Sequence, residues 1–264
     1  MPARDLPLIL DAVRAAGEVA LRYTGPSARR WDKPGNAGPV TEADLAVNDT
    51  LHSQLRSARA DYGWLSEESD DDPDRLNRDA VFIIDPIDGT RSYVEGGRTW
   101  AIAVAVADQG LITAAAVYLP MRDMLFAAAL GEGASLNEEP LRVSQQQSVT
   151  GARVLAARPN FDARHWHSDV PAVDRHYRPS LAYRLALVGT GRFDAMVTLR
   201  PSWEWDIAAG SLIVAEAGGR VTDRMGEPLR FNQHRPQHDG VVAGTTPVQS
   251  ALIAALRPGT ARAG

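Results

Sequence analysis

The stretch FIIDPIDGTRSY, residues 82–93, carries an apolar run into Asp85 and Asp88 and closes on Gly89-Thr90. Two carboxylates this close repel one another, and without a cation one of them ionises only at a raised pKa. A hard divalent cation such as Mg2+ reverses the penalty, because it takes oxygen ligands and commonly combines carboxylates with substrate phosphate. The Ile87 carbonyl between the pair is a further oxygen donor. Gly89 lets the backbone approach a ligand closely, and N–H groups opening a short helix over Arg91-Ser92-Tyr93 suit a phosphate. Pro86 keeps a helix from beginning at Asp85 and helps turn the chain outward. In isolation the same residues also read as an Asx-turn with surface carboxylates.

Two further acidic positions bear on that choice. Trp64-Leu65-Ser66 leads into Glu67 and Glu68, where a strand end delivers one glutamate inward and the other outward. Trp205-Asp206-Ile-Ala-Ala-Gly210 sets Asp206 at a helix start whose small residues allow close packing. Taken alone, Glu67 is a surface charge and Asp206 an N-cap. Trp203 and Trp205 are expected to pack around that helix start, with base stacking the lesser alternative. His165-Trp166-His167 with His176 matches no ligand spacing and reads as a polar loop. The acidic run from Ser69 to Asp74 reads as a solvated loop.

These residues need elements to hold them. Leu6, Leu10, Val13, Val19 and Ala20 recur near helical spacing and predict a first helix ending near Thr24-Gly25, followed by a Gly- and Pro-rich loop. Thr41-Glu42-Ala43-Asp44 resembles an imperfect capping box and predicts a second helix over about 42–57. Strands are predicted at 80–85, 100–107 and 111–119, with another at 124–129 extending the meander. Beyond about residue 145 strands and helices alternate: strands at 153–157, 193–199 and 240–244, helices at 180–191, 206–219 and 247–256. This predicts an α+β half, residues 1–145, joined to an α/β half, residues 146–264.

Composition limits the partners. The 264 residues are 44% hydrophobic and 23% charged with a net charge of −5, which argues against a nucleic-acid polymer or a membrane surface as the ligand. A small phosphorylated metabolite remains compatible if cations offset the carboxylates locally. The absence of cysteine removes disulfides, thiolate metal sites and cysteine nucleophiles, and suits the cytoplasm. The N-terminal stretch lacks the uninterrupted apolar core of a signal peptide, and no apolar run reaches about 18 residues.

Glu67-Glu68, Asp85-Pro-Ile-Asp-Gly-Thr90 and Trp205-Asp206-x-Ala-Ala-Gly210 together resemble the inositol monophosphatase family, which includes 3′(2′),5′-bisphosphate nucleotidases. The resemblance extends to Pro39-Val-Thr-x-Ala-Asp44 and Glu216-Ala-Gly-Gly219. It implies a layered αβαβα sandwich and Mg2+, on the order of two or three ions per site. The expected ligands are Glu67, Asp85, the Ile87 carbonyl, Asp88 and Asp206. Glu67 and Thr90 are expected to activate the attacking water with Asp44 in support, while Asp88, Gly89 and Thr90 hold the phosphate. Lithium inhibition and a homodimer are further expectations of the resemblance.

Substrate choice rests on fewer residues. Inositol-directed members typically carry Thr-Asn after the first motif and an acidic residue before the second; this chain has Arg91-Ser92 and Thr198-Leu199-Arg200. Arg91 and Arg200, with Ser180, are the expected substrate contacts, the arginines neutralising a second phosphate through their planar donor forks. Ala182 stands where nucleotidase-like members carry a lysine, with Arg184 two residues on. The expectation is hydrolysis of the 3′-phosphate of a 3′(2′),5′-bisphosphate nucleotide; the alternative is an inositol or broader sugar phosphate. An aspartyl-phosphate phosphatase of the haloacid dehalogenase type has its two aspartates two apart rather than three, so its geometry differs. A catalytically silent metabolite-binding protein is the rival from another class.

Overall fold

The computed structural model describes residues 4–23, 29–32, 38–167 and 169–257. Helix α1 (Leu6–Arg22) buries Ile9, Val13, Ala16 and Ala20, the single apolar stripe of a surface helix. Its end at Arg22 precedes the expected one; Thr24 and Gly25 lie outside the described residues. The segment read as a loop contributes a short antiparallel hairpin instead, β1 (Arg30–Asp32) against β2 (Pro39–Thr41). Helix α2 (Glu42–Ala58) opens on a complete capping box, with Asp44 in the place usually held by Glu or Gln.

Seven strands form one sheet in the order in which they occur along the chain: β3 (Gly63–Ser66), β4 (Ala80–Asp88), β5 (Ala101–Asp108), β6 (Leu111–Leu119), β7 (Met124–Ala129), β8 (Gly133–Leu136) and β9 (Glu139–Pro140). Only β3 runs parallel to its neighbour; a 3-10 turn at Pro73–Asn77 lies in the crossover to β4. Helix α3 (Thr90–Val94) follows β4 directly. A second sheet has the order β11-β10-β12-β14-β13, from β10 (Arg153–Ala156), β11 (Asp174–His176), β12 (Ala195–Trp203), β13 (Arg220–Thr222) and β14 (Gln237–Gly244).

The helices are layered by their hydrophobicity. The stripes of α1 and α2 cover one face of the seven-stranded sheet around Phe82, Ile84, Ile102 and Val104. Helices α4 (Leu181–Gly189) and α5 (Glu204–Glu216) are apolar nearly all round and so belong between two sheets. They pack on Leu65, Val81, Ile83 and Ala103 from one sheet and on Met196, Val241 and Ala243 from the other. The far face of the second sheet is covered by α6 (Thr246–Ala255) through Val248 and Leu252. The order is αβαβα, as the family resemblance implies, and no helix among the described residues is long and apolar enough to cross a membrane.

The acidic run is exposed from Asp70 to Asp74, as a solvated loop should be, and a second loop expectation changes. In the acidic run, Asp71 accepts two hydrogen bonds, at 2.6 and 3.0 Å, from Arg75, which is 2% exposed. Burying a guanidinium requires such a partner. Trp166 in the His-Trp-His segment is fully buried and stacks on Phe161 at 5.4 Å, so that segment is anchored by an indole rather than being a polar loop throughout.

Helices α4 and α5 cross closely because Gly210 has no side chain: a Cβ there would lie 2.4 Å from Leu185 Cβ. Gly210→Val is therefore expected to destabilise the fold by about 1–3 kcal/mol through overpacking. A lower urea midpoint at unchanged m-value would show this; an unaltered midpoint would mean that the helices can separate freely.

Candidate active site

Residues three apart on a regular strand face opposite sides of the sheet. Asp85 and Asp88 nevertheless converge, because β4 bulges between them: Asp85 pairs with Ala103 and Asp88 with Ala101, so three steps on β4 match two on β5. The extra residue restores the parity that the spacing loses. Asp85 stays in phase with Val81 and Ile83 on the α4/α5 face, while Ile87 joins the opposite core. Asp206 arrives from the first turn of α5. Ligand oxygens of Asp85, Asp88 and Asp206 all lie within 4.8 Å of one another, the only such acidic group among the described residues.

Glu67 follows β3 and is hydrogen-bonded through its N–H to the Ile84 carbonyl at 3.2 Å, next to Asp85 in the chain. The turn that carries it is fixed by its own flanking residues and by Asn48 of α2. Ser66 donates to Asn48 at 2.7 Å, and Ser69 links Asn48 and the Trp64 indole at 3.2 and 3.1 Å. Asp44, 1% exposed, accepts from Thr41 N–H at 2.8 Å and from its hydroxyl at 2.5 Å. Thr90 Oγ1 donates between the Ile87 carbonyl at 3.1 Å and Asp44 at 3.4 Å. Gly89 holds φ at 98°, a left-handed conformation, at the start of α3.

Asp88 ties the two sheets together. One of its oxygens accepts from the Ser180 hydroxyl at 2.7 Å and from Ala182 N–H at 2.6 Å, both at the N-terminus of α4. Ser180, expected at the substrate, is buried, holds a left-handed φ of 67°, caps α4 by accepting from Tyr183 N–H, and fixes Asp88. Ala182, in the expected lysine position, contributes its backbone. Arg184 is 6% exposed; it donates to the Ser180 carbonyl at 3.3 Å and lies 5.4 Å from the Tyr177 ring centroid. Arg91 and Arg200 are exposed, and the charge of Arg200 acts on both Asp206 and Arg184.

Asp206 is not the N-cap that its position suggested. Helix α5 starts two residues earlier, at Glu204, and the Asp206 carboxylate accepts from the N–H of Trp203, the capping residue. Trp203 and Trp205 stack on each other at 4.6 Å with planes 11° apart. Glu204 is fully buried and is a residue that sequence reasoning passed over. It accepts from Asn232 N–H at 2.6 Å and Gln233 N–H at 2.9 Å. Burial pushes its pKa up to about 7 against those two bonds and the charge of Arg75.

The cluster is electrostatically frustrated without a cation. Burial first, then the charges of Glu67, Asp88, Asp206 and Asp44, raise Asp85 well above the carboxylate range. Asp206 is pushed up to about 8 by burial and by Asp88 and Glu67. Asp88 is raised by burial, with Ser180, the Ala182 and Leu181 N–H groups and Arg184 opposing. Asp85 Oδ1 is buried with no hydrogen-bond partner, and an unpartnered buried acceptor is costly. A hard divalent cation fits this donor set: it replaces the missing partner and cancels the repulsion.

The model of the inositol monophosphatase family matches residues 5–260. Among curated relatives, the Nus factor SuhB of Escherichia coli (strain K12) is 33% identical over 267 residues, covering 95% of this chain and 96% of that protein. The inositol-1-monophosphatase of Rhizobium meliloti (strain 1021) is 34% identical over 267 residues, covering 94% of each. Among solved structures, the extragenic suppressor protein suhB from Bartonella henselae superposes with a TM-score of 0.80 at 30% identity, covering 96% of this chain and 98% of that one.

Asp88→Asn is expected to keep the fold, since an amide oxygen still accepts from Ser180 and Ala182, yet to lower turnover by about 100-fold or more, as losing an electrostatic contact at a reacting centre does. Near-normal kcat would remove Asp88 from the cation's shell. The raised pKa values set a second expectation. A carboxyl group raised on folding favours the fold at pH values below its unfolded pKa, and this contribution is lost as pH rises through the folded value, about 8 for Asp206. The cation competes with protons for these oxygens, so MgCl2 should raise Tm more at about pH 8 than at pH 6. Equal increments would contradict the assignment.

Proposed function

This chain belongs to the inositol monophosphatase family of metal-dependent phosphatases, and on that premise we propose that it hydrolyses a small phosphomonoester bearing a second anionic group, as a 3′(2′),5′-bisphosphate nucleotide does. The convergence of buried Asp85 and Asp88 with half-buried Asp206 around an unpartnered Asp85 oxygen carries the phosphatase part of the reading. Glu67, Asp85, the Ile87 carbonyl, Asp88 and Asp206 would hold Mg2+. When bound, the cation offsets the carboxylate charge, polarises the phosphoryl oxygens and acidifies a water.

The chain's own residues account for the rest of the step. Thr90 spends its hydroxyl proton on Ile87 and Asp44, which leaves oxygen lone pairs to accept a hydrogen bond from the attacking water. Asp44 keeps that hydroxyl turned inward and is itself fixed by Thr41. Glu67 takes the proton as the water oxygen bonds to phosphorus. The ester P–O bond breaks opposite, and the leaving oxygen takes a proton from solvent. The N–H groups at Gly89 and Thr90 face the equatorial oxygens, whose charge rises in the transition state.

The second anion is argued from Arg184. Its guanidinium is buried beside the cluster, where Asp88 and Asp206 act on its charge without closing to an ion pair among the described residues. A buried cation is costly without an anion, and arginine's planar fork suits a phosphate. Arg200 stands within electrostatic reach, and Arg91 follows Gly89-Thr90 at the rim. The Rhizobium meliloti relative's name favours a second reading, inositol 1-phosphate as the substrate.

Side-by-side kcat/KM values for adenosine 3′,5′-bisphosphate and inositol 1-phosphate with Mg2+ separate the readings. The nucleotide should lead by about tenfold or more, and Arg184→Gln should narrow the ratio by about tenfold, as losing a charged contact worth about 1.5–3 kcal/mol does. An equal or larger preference for the inositol ester would overturn the second-anion reading and leave the phosphatase one standing. No turnover of any phosphomonoester in a broad panel would favour the silent binding protein.

A further inference from the structure

Glu67 and Asp206 are far apart in sequence and come from different sheet systems, so their separation depends on what joins the loop after β3 to the start of α5. The geometry points to a polar clamp, Asp71–Arg75–Asn232–Glu204, buried at Arg75 and Glu204, as the device that sets this separation; the inference rests on the phosphatase reading above.

Each joint of the clamp is a hydrogen bond. Asp71, four residues beyond Glu67, accepts from Arg75 Nε and Nη2. Arg75 Nη1 donates to Asn232 Oδ1 at 2.7 Å and to the Gln233 carbonyl at 3.0 Å, and Asn232 Nδ2 donates back to the Arg75 carbonyl at 3.1 Å. The Asn232 and Gln233 N–H groups then bind the two oxygens of Glu204. Glu204 begins α5, and its own N–H donates to the Pro236 carbonyl at 2.9 Å. Two residues later comes Asp206. The loop is pinned from a third side as well, Phe231 N–H donating to the Gly110 carbonyl at 3.0 Å.

Two features mark this as more than packing. Arg75 is 2% exposed and Glu204 0% exposed, an opposed pair that costs more to bury than apolar residues of the same volume. Every joint is also specific to its side chain. Asn232 holds φ at 59°, which asparagine tolerates. Only a carboxylate accepts from two N–H groups with two oxygens, and only arginine reaches Asp71 and Asn232 at once with one planar fork. Arg75 and Glu204 touch no reacting atom in this arrangement; they are positioning residues.

Supporting shells of this kind typically change metal affinity by about 10- to 100-fold when broken. Glu204→Gln puts an NH2 group against one of the two backbone donors, and Asn232→Gly keeps the left-handed backbone while deleting the amide. Calorimetric titration of the folded proteins with Mg2+ should show Kd weakened by about tenfold or more in each. Parallel assays should show a matching rise in the half-activating Mg2+ concentration, with kcat recovered at saturating cation and KM for substrate little changed. Arg75→Lys, which keeps the charge but not the fork, should behave like Asn232→Gly. A lower Tm with Mg2+ affinity within twofold of wild type would overturn the clamp and reduce it to a stabilising contact. If Glu204→Gln does not fold, Asn232→Gly carries the test. Wild-type protein that binds no Mg2+ would bring down the phosphatase reading first, a result distinct from an unchanged affinity in the variants.

Discussion

Repulsion among carboxylates that the fold forces together is the constraint on which this structure turns. Asp85, Asp88 and Asp206 would separate into water if they were free to do so; instead the β4 bulge, the α4 N-terminus and the first turn of α5 each hold one of them. The middle helical layer packs both sheets and both ends of the site at once. Its two helices are apolar nearly all round because they lie between two sheets, and apart from Arg184 the groups that bear on the site sit at their N-termini.

That division explains where backbone irregularity is found. The left-handed residues Gly89 and Ser180 meet across the site: a Cβ on Gly89 would lie 3.4 Å from Ser180 N–H nitrogen. Ser180 is not glycine, so its conformation carries strain that the Asp88 and Tyr183 hydrogen bonds offset. Local cost at this seam accompanies the hold of α4 on one Asp88 oxygen.

Much of the fold and of the acidic set was legible in the chain. Helical spacing marked α1, a near-complete capping box marked α2, and the acidic motifs pointed to one chemistry. Other parts depended on relations that no short window contains. The three-residue spacing of Asp85 and Asp88, taken as a regular strand, puts them on opposite faces; only the pairing with β5 reveals the extra residue. Ser180 was marked by its neighbours as a substrate contact, but the hydrogen bonds of its hydroxyl to Asp88 and a cap could not be read there. Asp71 is solvated as its acidic run suggests, but the burial of its partner Arg75, four residues on, carried no local signal. Glu204 carried a faint signal, an acid held between two tryptophans just before Asp206, but its partners lie near residue 232 and could not be read locally.

The seam between the two sheets also has a consequence for how the chain reaches its native state. Asp206 and Asp85 are distant in sequence, so their approach is a long-range event that closes only after a large loop has been ordered. Docking α5 onto the end of β4 buries apolar surface and at the same moment crowds like charges, so the two contributions act in opposite directions at a single step. Final assembly of the two sheets is thus the step of folding whose free energy depends on solution pH and divalent cations.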